Sequence, residues 1–241
     1  MRDIHRLALF PFQNVDGNTL SEAAYPRFVH LCIACDFDGT ITTVDTAELT
    51  LRTFAPGKWE IFDVLLGEGK ISLEECMVSQ FKLIKASKEE IIRTLDAAVG
   101  LRPGIADLIE YCSTKNIEFT ILSAGLDFYI DHTISKYGWT HVRRVSGTTI
   151  FDSGISIEFP KNKFADSRTF KEDFVRIEKE LKKDVWYFGD GTSDREGALA
   201  ADMVFSVAGS RLSQILDEKG KIHRDFLDFS EVLKTVKNSL A

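Results

Sequence analysis

Apolar positions in this chain follow two rhythms, and the change between them divides it. Phe28-Val29-His30-Leu31-Cys32-Ile33-Ala34-Cys35 is a nearly unbroken apolar run that reads as a buried β-strand. Residues 46–100 then carry helical spacing and no strand signal. Thr46 to Phe54 predicts a helix ahead of Pro56-Gly57, and Trp59 to Leu66 a second that stops at Gly67. Ser72 with Glu75, and Ser87 with Glu90, have the spacing of capping boxes and predict two more. Their apolar faces would carry Met77, Phe81 and Ile84, then Ile91, Ile92 and Leu95.

From residue 101 helices and strands alternate. A helix over 104–114 is followed by a strand over 117–122 and a helix over 126–137 that ends at Gly138. Short strands fill 142–160, with a hairpin around Asp152-Ser153-Gly154. A charged amphipathic helix over 169–183 leads into a buried strand at 184–188. A short helix at 196–201, a strand at 203–207 and a final helix capped by Ser230 complete the pattern, with the charge-rich 217–224 read as a solvated loop. This alternation predicts an α/β fold, a parallel sheet covered by helices on both faces. The expected organisation is an extension over 1–27 (broken by Pro11, Gly17 and Pro26), a core of 28–45 plus 101–241, and an inserted helical unit at 46–100.

In such sheets ligands sit beyond the carboxyl ends of the strands. Three strand ends here deliver chemistry. The first gives Asp36-Phe37-Asp38-Gly39-Thr40, the second Ser123-Ala124-Gly125, the third Gly189-Asp190-Gly191-Thr192-Ser193-Asp194. Alternate strand residues face one side, so Asp36 and Asp38 are expected to converge where the strand runs out. Carboxylates that close repel unless a cation lies between them, and all-oxygen ligands favour Mg²⁺. A polar turn is the plain alternative for Asp-x-Asp-Gly. A calcium loop fails on spacing, because Gly39 comes fourth and the twelfth position is Ala47. Hydroxyls and backbone N–H groups at the other two strand ends suit one shared anion.

Composition narrows the partners. The chain has 241 residues, 44% of them hydrophobic, enough for one large core with an insertion. A net charge of -7 argues against nucleic acid. No apolar run approaches the roughly 20 residues of a membrane span, and Leu7-Ala8-Leu9-Phe10 gives way at once to Pro11 and polar residues, so no secretory leader is expected. Of the four cysteines, Cys32 and Cys35 invite a redox or zinc reading, but positions three apart on a strand face opposite ways. Packing roles for Cys32, Cys35, Cys76 and Cys112 and a reducing cytoplasmic setting are expected. The five histidines show no ligand spacing, no Gly-x-Gly-x-x-Gly follows the first strand, and nothing specifies an oligomeric state.

On the three strand-end motifs the chain resembles the haloacid dehalogenase superfamily of phosphohydrolases over about residues 29–210. The resemblance implies a Rossmann-like core with 46–100 as a small mobile helical cap. It implies that Asp36 attacks phosphorus to form an aspartyl-phosphate and that Asp38 is the general acid and base. It also implies Mg²⁺ held by the Asp36 carboxylate, the Asp38 carbonyl and Asp190, with Asp194 orienting from behind. Ser123, Ala124, Gly125 and a lysine would bind the phosphate of a small phosphorylated metabolite. Lys161, Lys163 and Lys171 are all available. In the family's phosphoserine phosphatase branch the lysine opens the helix before the last motif, which is the place of Lys171.

Within that branch the segment Phe54-Ala55-Pro56-Gly57-Lys58-Trp59, Asp45 nine positions after Asp36, and the spacing from Lys171 to Asp190 resemble methionine-salvage phosphatases acting on 2-hydroxy-3-keto-5-methylthiopentenyl-1-phosphate. Asp45 would then face substrate. The segment Glu74 to Phe81 has no arginine for a substrate carboxylate, and Gln80 falls near that place. A neutral or hydroxy-ketone phosphate is therefore expected rather than phosphoserine. The chain departs from the methionine-salvage pattern in having no cysteine over 161–170. Trp59, Phe54 and Phe62 would either line a cap pocket or pack the cap's own core. Phosphoserine hydrolysis, phosphoryl transfer through the same intermediate, and an inactive phosphate-binding module are the alternatives.

Overall fold

A computed structural model describes residues 30–152 and 154–239. The expected extension over 1–27, the first two residues of the expected strand at 28–35, and Ser153 of the expected hairpin lie outside the described residues.

Six parallel strands form one sheet in the order β3-β2-β1-β6-β7-β8. They are β1 Leu31–Cys35, β2 Glu118–Ser123, β3 Arg143–Ser146, β6 Asp184–Gly189, β7 Met203–Val207 and β8 Arg224–Phe226. A separate antiparallel hairpin pairs β4 (Thr148–Phe151) with β5 (Ile155–Glu158). β1 lies at the centre, with Cys35 level with Ile121 of β2 and Phe188 of β6. Every residue of β1 is buried, because helices cover both faces. The strand therefore needs no polar alternation, which is why its sequence reads as an apolar run.

The two faces bury different sets. Ile33 and Cys35 join Phe119, Ile121, Phe188 and Phe205 on one side, and Cys32 and Ala34 join Val185, Tyr187 and Val204 on the other. Cys32 and Cys35 thus diverge as expected, and all four cysteines are buried and unpaired. Ten helices are described: α1 Thr46–Phe54, α2 Glu60–Gly67, α3 Leu73–Phe81, α4 Lys88–Ala98, α5 Ile105–Thr114, α6 Asp127–Lys136, α7 Phe170–Glu180, α8 Arg195–Ala200, α9 Arg211–Lys219 and α10 Phe229–Ser239. α3 and α4 open on full capping boxes at Ser72 with Glu75 and Ser87 with Glu90. The two chain crossings that lead into and out of α1–α4 lie side by side: Thr43 N–H donates to Gly100 O at 2.9 Å and Arg102 N–H to Ile41 O at 2.7 Å.

The structure corrects two expectations near the C-terminus. The stretch read as a solvated loop over 217–224 holds the end of α9 and the start of β8. α9 forms because Ser210 caps it by accepting from Ser213 N, and Leu212, Ile215 and Leu216 supply a buried stripe before Gly220 turns the chain at φ 66°. Ser230 does not cap α10. It lies in the first turn, and Asp228 Oδ1 accepts from its N–H at 2.7 Å.

Candidate active site

The carboxyl ends of β1, β2 and β6 open onto one cavity of about 390 Å³. Its lining includes Asp36, Asp38, Asp45, Ala124, Gly125, Asp190 and Ser193 from the strand-end segments and Leu51, Trp59, Leu73, Met77, Gln80 and Phe81 from the helical insertion.

Asp36 is the residue after β1, anchored by its N–H on Phe188 O at 2.9 Å. Lys171, in the first turn of α7, is 1% exposed and sends its Nζ to Asp36 Oδ1 and Asp194 Oδ1, both at 2.6 Å. Lys163 instead pairs with Glu180 at the surface at 2.7 Å, and Lys161 is exposed. Asp194 is fully engaged. Its Oδ1 also accepts from Tyr187 OH at 2.8 Å, and its Oδ2 from the Asp190 and Gly191 N–H groups at 3.1 and 3.0 Å. Burial alone would push the Lys171 ammonium down, but Asp194 and Asp36 outweigh it and hold the charge. Burial, then the Asp194 charge, push the Asp36 carboxyl well above its usual range against the pull of Lys171.

Asp38 corrects the sequence argument. β1 ends at Cys35, so the period of two no longer applies at Asp38 (φ -74°, ψ 121°), which sits in the tight turn Phe37–Ile41. Its Oδ1 accepts from Thr46 N at 3.0 Å and from the Thr46 hydroxyl, and its Oδ2 from Ser123 Oγ at 3.3 Å. Burial nevertheless pushes its carboxyl up, partly offset by the two Thr46 hydrogen bonds. Asp36 and Asp38 therefore share a cavity but have different partners. Ser123 is fully buried and accepts from Gly125 N at 2.9 Å. Gly125 is required here, since a Cβ would collide with Asp38 Oδ2 and lie 3.3 Å from Ser123 Oγ.

Asp190 accepts from Thr40 Oγ1 at 3.0 Å, and burial followed by the Asp194 charge lifts its carboxyl to about 7. Gly39, at φ 73°, takes a backbone form that favours glycine, and a Cβ there would run into the Asp190 carboxylate. Arg102 fixes this turn from below, with Nε on Thr40 O at 2.8 Å and a second nitrogen on Gly39 O at 2.6 Å. Asp45, which is exposed, caps α1 by accepting from Glu48 N at 2.8 Å.

Oxygens of Asp36, Asp190 and Asp194 lie within 4.8 Å of one another. Asp194 is already satisfied by four donors, so Asp36 and Asp190 are the carboxylates left to a cation. Their all-oxygen character fits a hard divalent ion. Of the aromatic candidates only Trp59 lines the cavity; Phe54 packs against the core and Phe62 is half-buried. Sequence reasoning missed Thr46, Tyr187 and Arg102. Thr40 carried a signal, since it completes the Asp-x-Asp-Gly-Thr run; Arg102 reaches the turn from 62 positions away, and Thr46 and Tyr187 lie close in sequence to the carboxylates they hold but carried none.

Residues 33–198 match the haloacid dehalogenase-like hydrolases. A 2-hydroxy-3-keto-5-methylthiopentenyl-1-phosphate phosphatase of Brevibacillus brevis is 29% identical over 86% of this chain and 95% of its own length. A phosphatase of the same description from Bacillus velezensis is 30% identical over 86% of this chain and 89% of its own. A solved phosphoserine phosphatase carrying a phospho-aspartyl intermediate analogue superposes with a TM-score of 0.64 at 20% identity, over 85% of this chain and 97% of that one. That likeness is one of fold, a Rossmann-like α/β architecture.

Proposed function

The chain belongs to the haloacid dehalogenase-like hydrolase family, and we propose that it is a phosphatase that hydrolyses a small phosphate monoester through an aspartyl-phosphate on Asp36. The observation that carries this reading is the pairing of a cavity-lining carboxylate, Asp36, with the buried Lys171 behind it, at 2.6 Å. Lys171 offsets the repulsion between Asp36 and an incoming phosphate dianion. Asp36 attacks phosphorus with a free carboxylate oxygen, and the bond to the leaving oxygen breaks. Asp38 gives that oxygen its proton. Asp38 then takes a proton from water as the water attacks phosphorus, the bond to Asp36 breaks, and inorganic phosphate leaves. The Ala124-Gly125 backbone lines the cavity and would bind phosphate oxygens together with Ser123, which is buried behind it with its hydroxyl on Asp38, and Asp194 holds Lys171 in place. Asp36, Asp190 and the Asp38 carbonyl would hold Mg²⁺, which when bound supplies positive charge beside the transferring phosphoryl group.

The substrate we favour is an uncharged-headed metabolite of the hydroxy-ketone phosphate class, in line with the relatives' substrate. Among the described residues no lysine, arginine or histidine lines the cavity, while Asp45, Glu48 and Asp63 do. A second anionic group on the substrate would meet repulsion there, which disfavours phosphoserine. Nucleic acid is equally disfavoured by the net charge of -7. We read α1–α4 over 46–100 as a cap on the core, supported by the adjacent chain crossings at Thr43 and Arg102. Among the described residues no helix is long and apolar enough to cross a membrane. The four unpaired cysteines support a cytoplasmic setting. The test is phosphate release from 2-hydroxy-3-keto-5-methylthiopentenyl-1-phosphate, phosphoserine and p-nitrophenyl phosphate, with Mg²⁺ and with EDTA, for the wild type and Asp36→Asn. Release that needs metal and is lost in Asp36→Asn is expected, with phosphoserine the poorest ester by kcat/KM. Release that survives Asp36→Asn overturns the covalent route.

A further inference from the structure

We propose that Gln80 selects esters whose leaving group carries a hydroxyl, with Asp63 as its positioning residue. The inference rests on the phosphatase reading above and names the feature of the substrate that the cavity reads. Gln80 lies near the end of α3, is 6% exposed and lines the cavity that holds Asp36 and Asp38. Its Nε2 donates to Asp63 Oδ1 at 2.8 Å, and the Cys76 thiol approaches the same oxygen at 3.7 Å. A carboxylate only accepts hydrogen bonds, so Asp63 obliges the amide to turn its NH₂ that way. The carbonyl Oε1 is then fixed on the opposite side. Among the described residues no protein donor reaches it, and it is not one of the sealed atoms without a partner, which are Thr120 Oγ1 and Thr149 Oγ1. Its open side is the cavity.

A buried, oriented acceptor with no donor of its own rewards a ligand that brings one and penalises an isostere that does not. The walls around it sharpen the choice. Leu51, Trp59, Leu73, Met77 and Phe81 line the same cavity and suit the carbon chain of the leaving group. The carboxylates of Asp45 and Glu48 line the same cavity and disfavour an anion in it. Gln80 is thus an acceptor for a neutral hydroxyl, held at a set angle by a residue that substrate need not touch.

Glycerol 1-phosphate and propyl phosphate have the same carbon chain and differ in hydroxyls, which makes them the probes. The ratio of their kcat/KM values is measured for the wild type, Gln80→Leu and Asp63→Asn. The wild type is expected to prefer the hydroxylated ester, Gln80→Leu to reduce that ratio on the order of tenfold or more, and Asp63→Asn to reduce it less, because the freed amide can flip. The same ratio is read as Kd by calorimetry on the Asp36→Asn protein with and without Gln80→Leu, which needs no turnover. A Kd ratio that follows Gln80, together with a wild type that hydrolyses neither ester, removes the phosphatase reading and keeps Gln80 as the selector. A ratio unchanged by Gln80→Leu, in kcat/KM and in Kd, overturns the proposal. Gln80→Met gives the same comparison if Gln80→Leu fails to fold.

Discussion

Tyr187→Phe isolates one hydrogen bond behind the site. Tyr187 OH donates to Asp194 Oδ1 at 2.8 Å, and both residues are fully buried. The substitution keeps the ring, which packs closely enough that a Cβ on Gly197 would lie 2.6 Å from it. It leaves no unpaired group on residue 187. Asp194 Oδ1 loses one of two donors and water cannot replace it. A hydrogen bond to a charged group contributes about 1.5–3 kcal/mol, so a loss of about 2 kcal/mol is expected. For a chain of this size that lowers Tm by roughly 4–8 °C. Urea unfolding followed by circular dichroism should show the midpoint falling with an unchanged m value. Activity should fall as well, through kcat more than KM, because Lys171 hangs on the same oxygen at 2.6 Å. Tyr137→Phe is the control; Tyr137 is 47% exposed and should change stability by less than about 0.5 kcal/mol. If Tyr187→Phe is as stable and as active as the control, Tyr187 does not support Asp194 and the reasoning is refuted.

Gly125→Ala places a methyl against Asp38 Oδ2, and a displaced carboxyl should cut kcat on the order of a hundredfold; an unchanged kcat would mean Asp38 is not held where it acts. Asp96 on α4 bonds His132 at 2.9 Å and Lys136 at 3.0 Å on α6. Burial works against its charge, but Lys136 and His132 outweigh it and hold its carboxyl below the usual range. A lowered folded pKa stabilises above the unfolded value near 3.9 and is lost as pH falls through the folded one. Asp96→Asn should therefore cost about 0.5 kcal/mol at neutral pH and nothing in strong acid, as read by chemical unfolding at both pH values. A penalty that persists below pH 3 would assign it to packing instead.

Local rules were legible where the interactions are local. Ser72 with Glu75 and Ser87 with Glu90 form the capping boxes their spacing implies, because both partners lie within one turn. The alternation after residue 101 yields a parallel sheet because each strand needs a helix to return it. Asp228, rather than Ser230, caps α10 because two good capping residues stand close together and only the path of the chain chooses between them.

The order of apolar runs and turn residues by itself determined that β1, β2 and β6 would end in Asp36, Ser123 and Asp190, and that helices would fill 46–100. The resemblance to the phosphoserine phosphatase branch, not the apolar pattern, pointed to Lys171 among Lys161, Lys163 and Lys171. Only the tertiary structure decided what those groups touch. It gives Asp38 hydrogen bonds to Thr46 and Ser123, and it closes Lys171 onto Asp194 and onto Asp36, 135 positions away in sequence. It also places Tyr187, Arg102 and Gln80 around them. The reason is the reach of the forces. Propensity and capping act within a turn or a pleat, whereas charge pairing and burial depend on distances that exist only once the sheet has assembled.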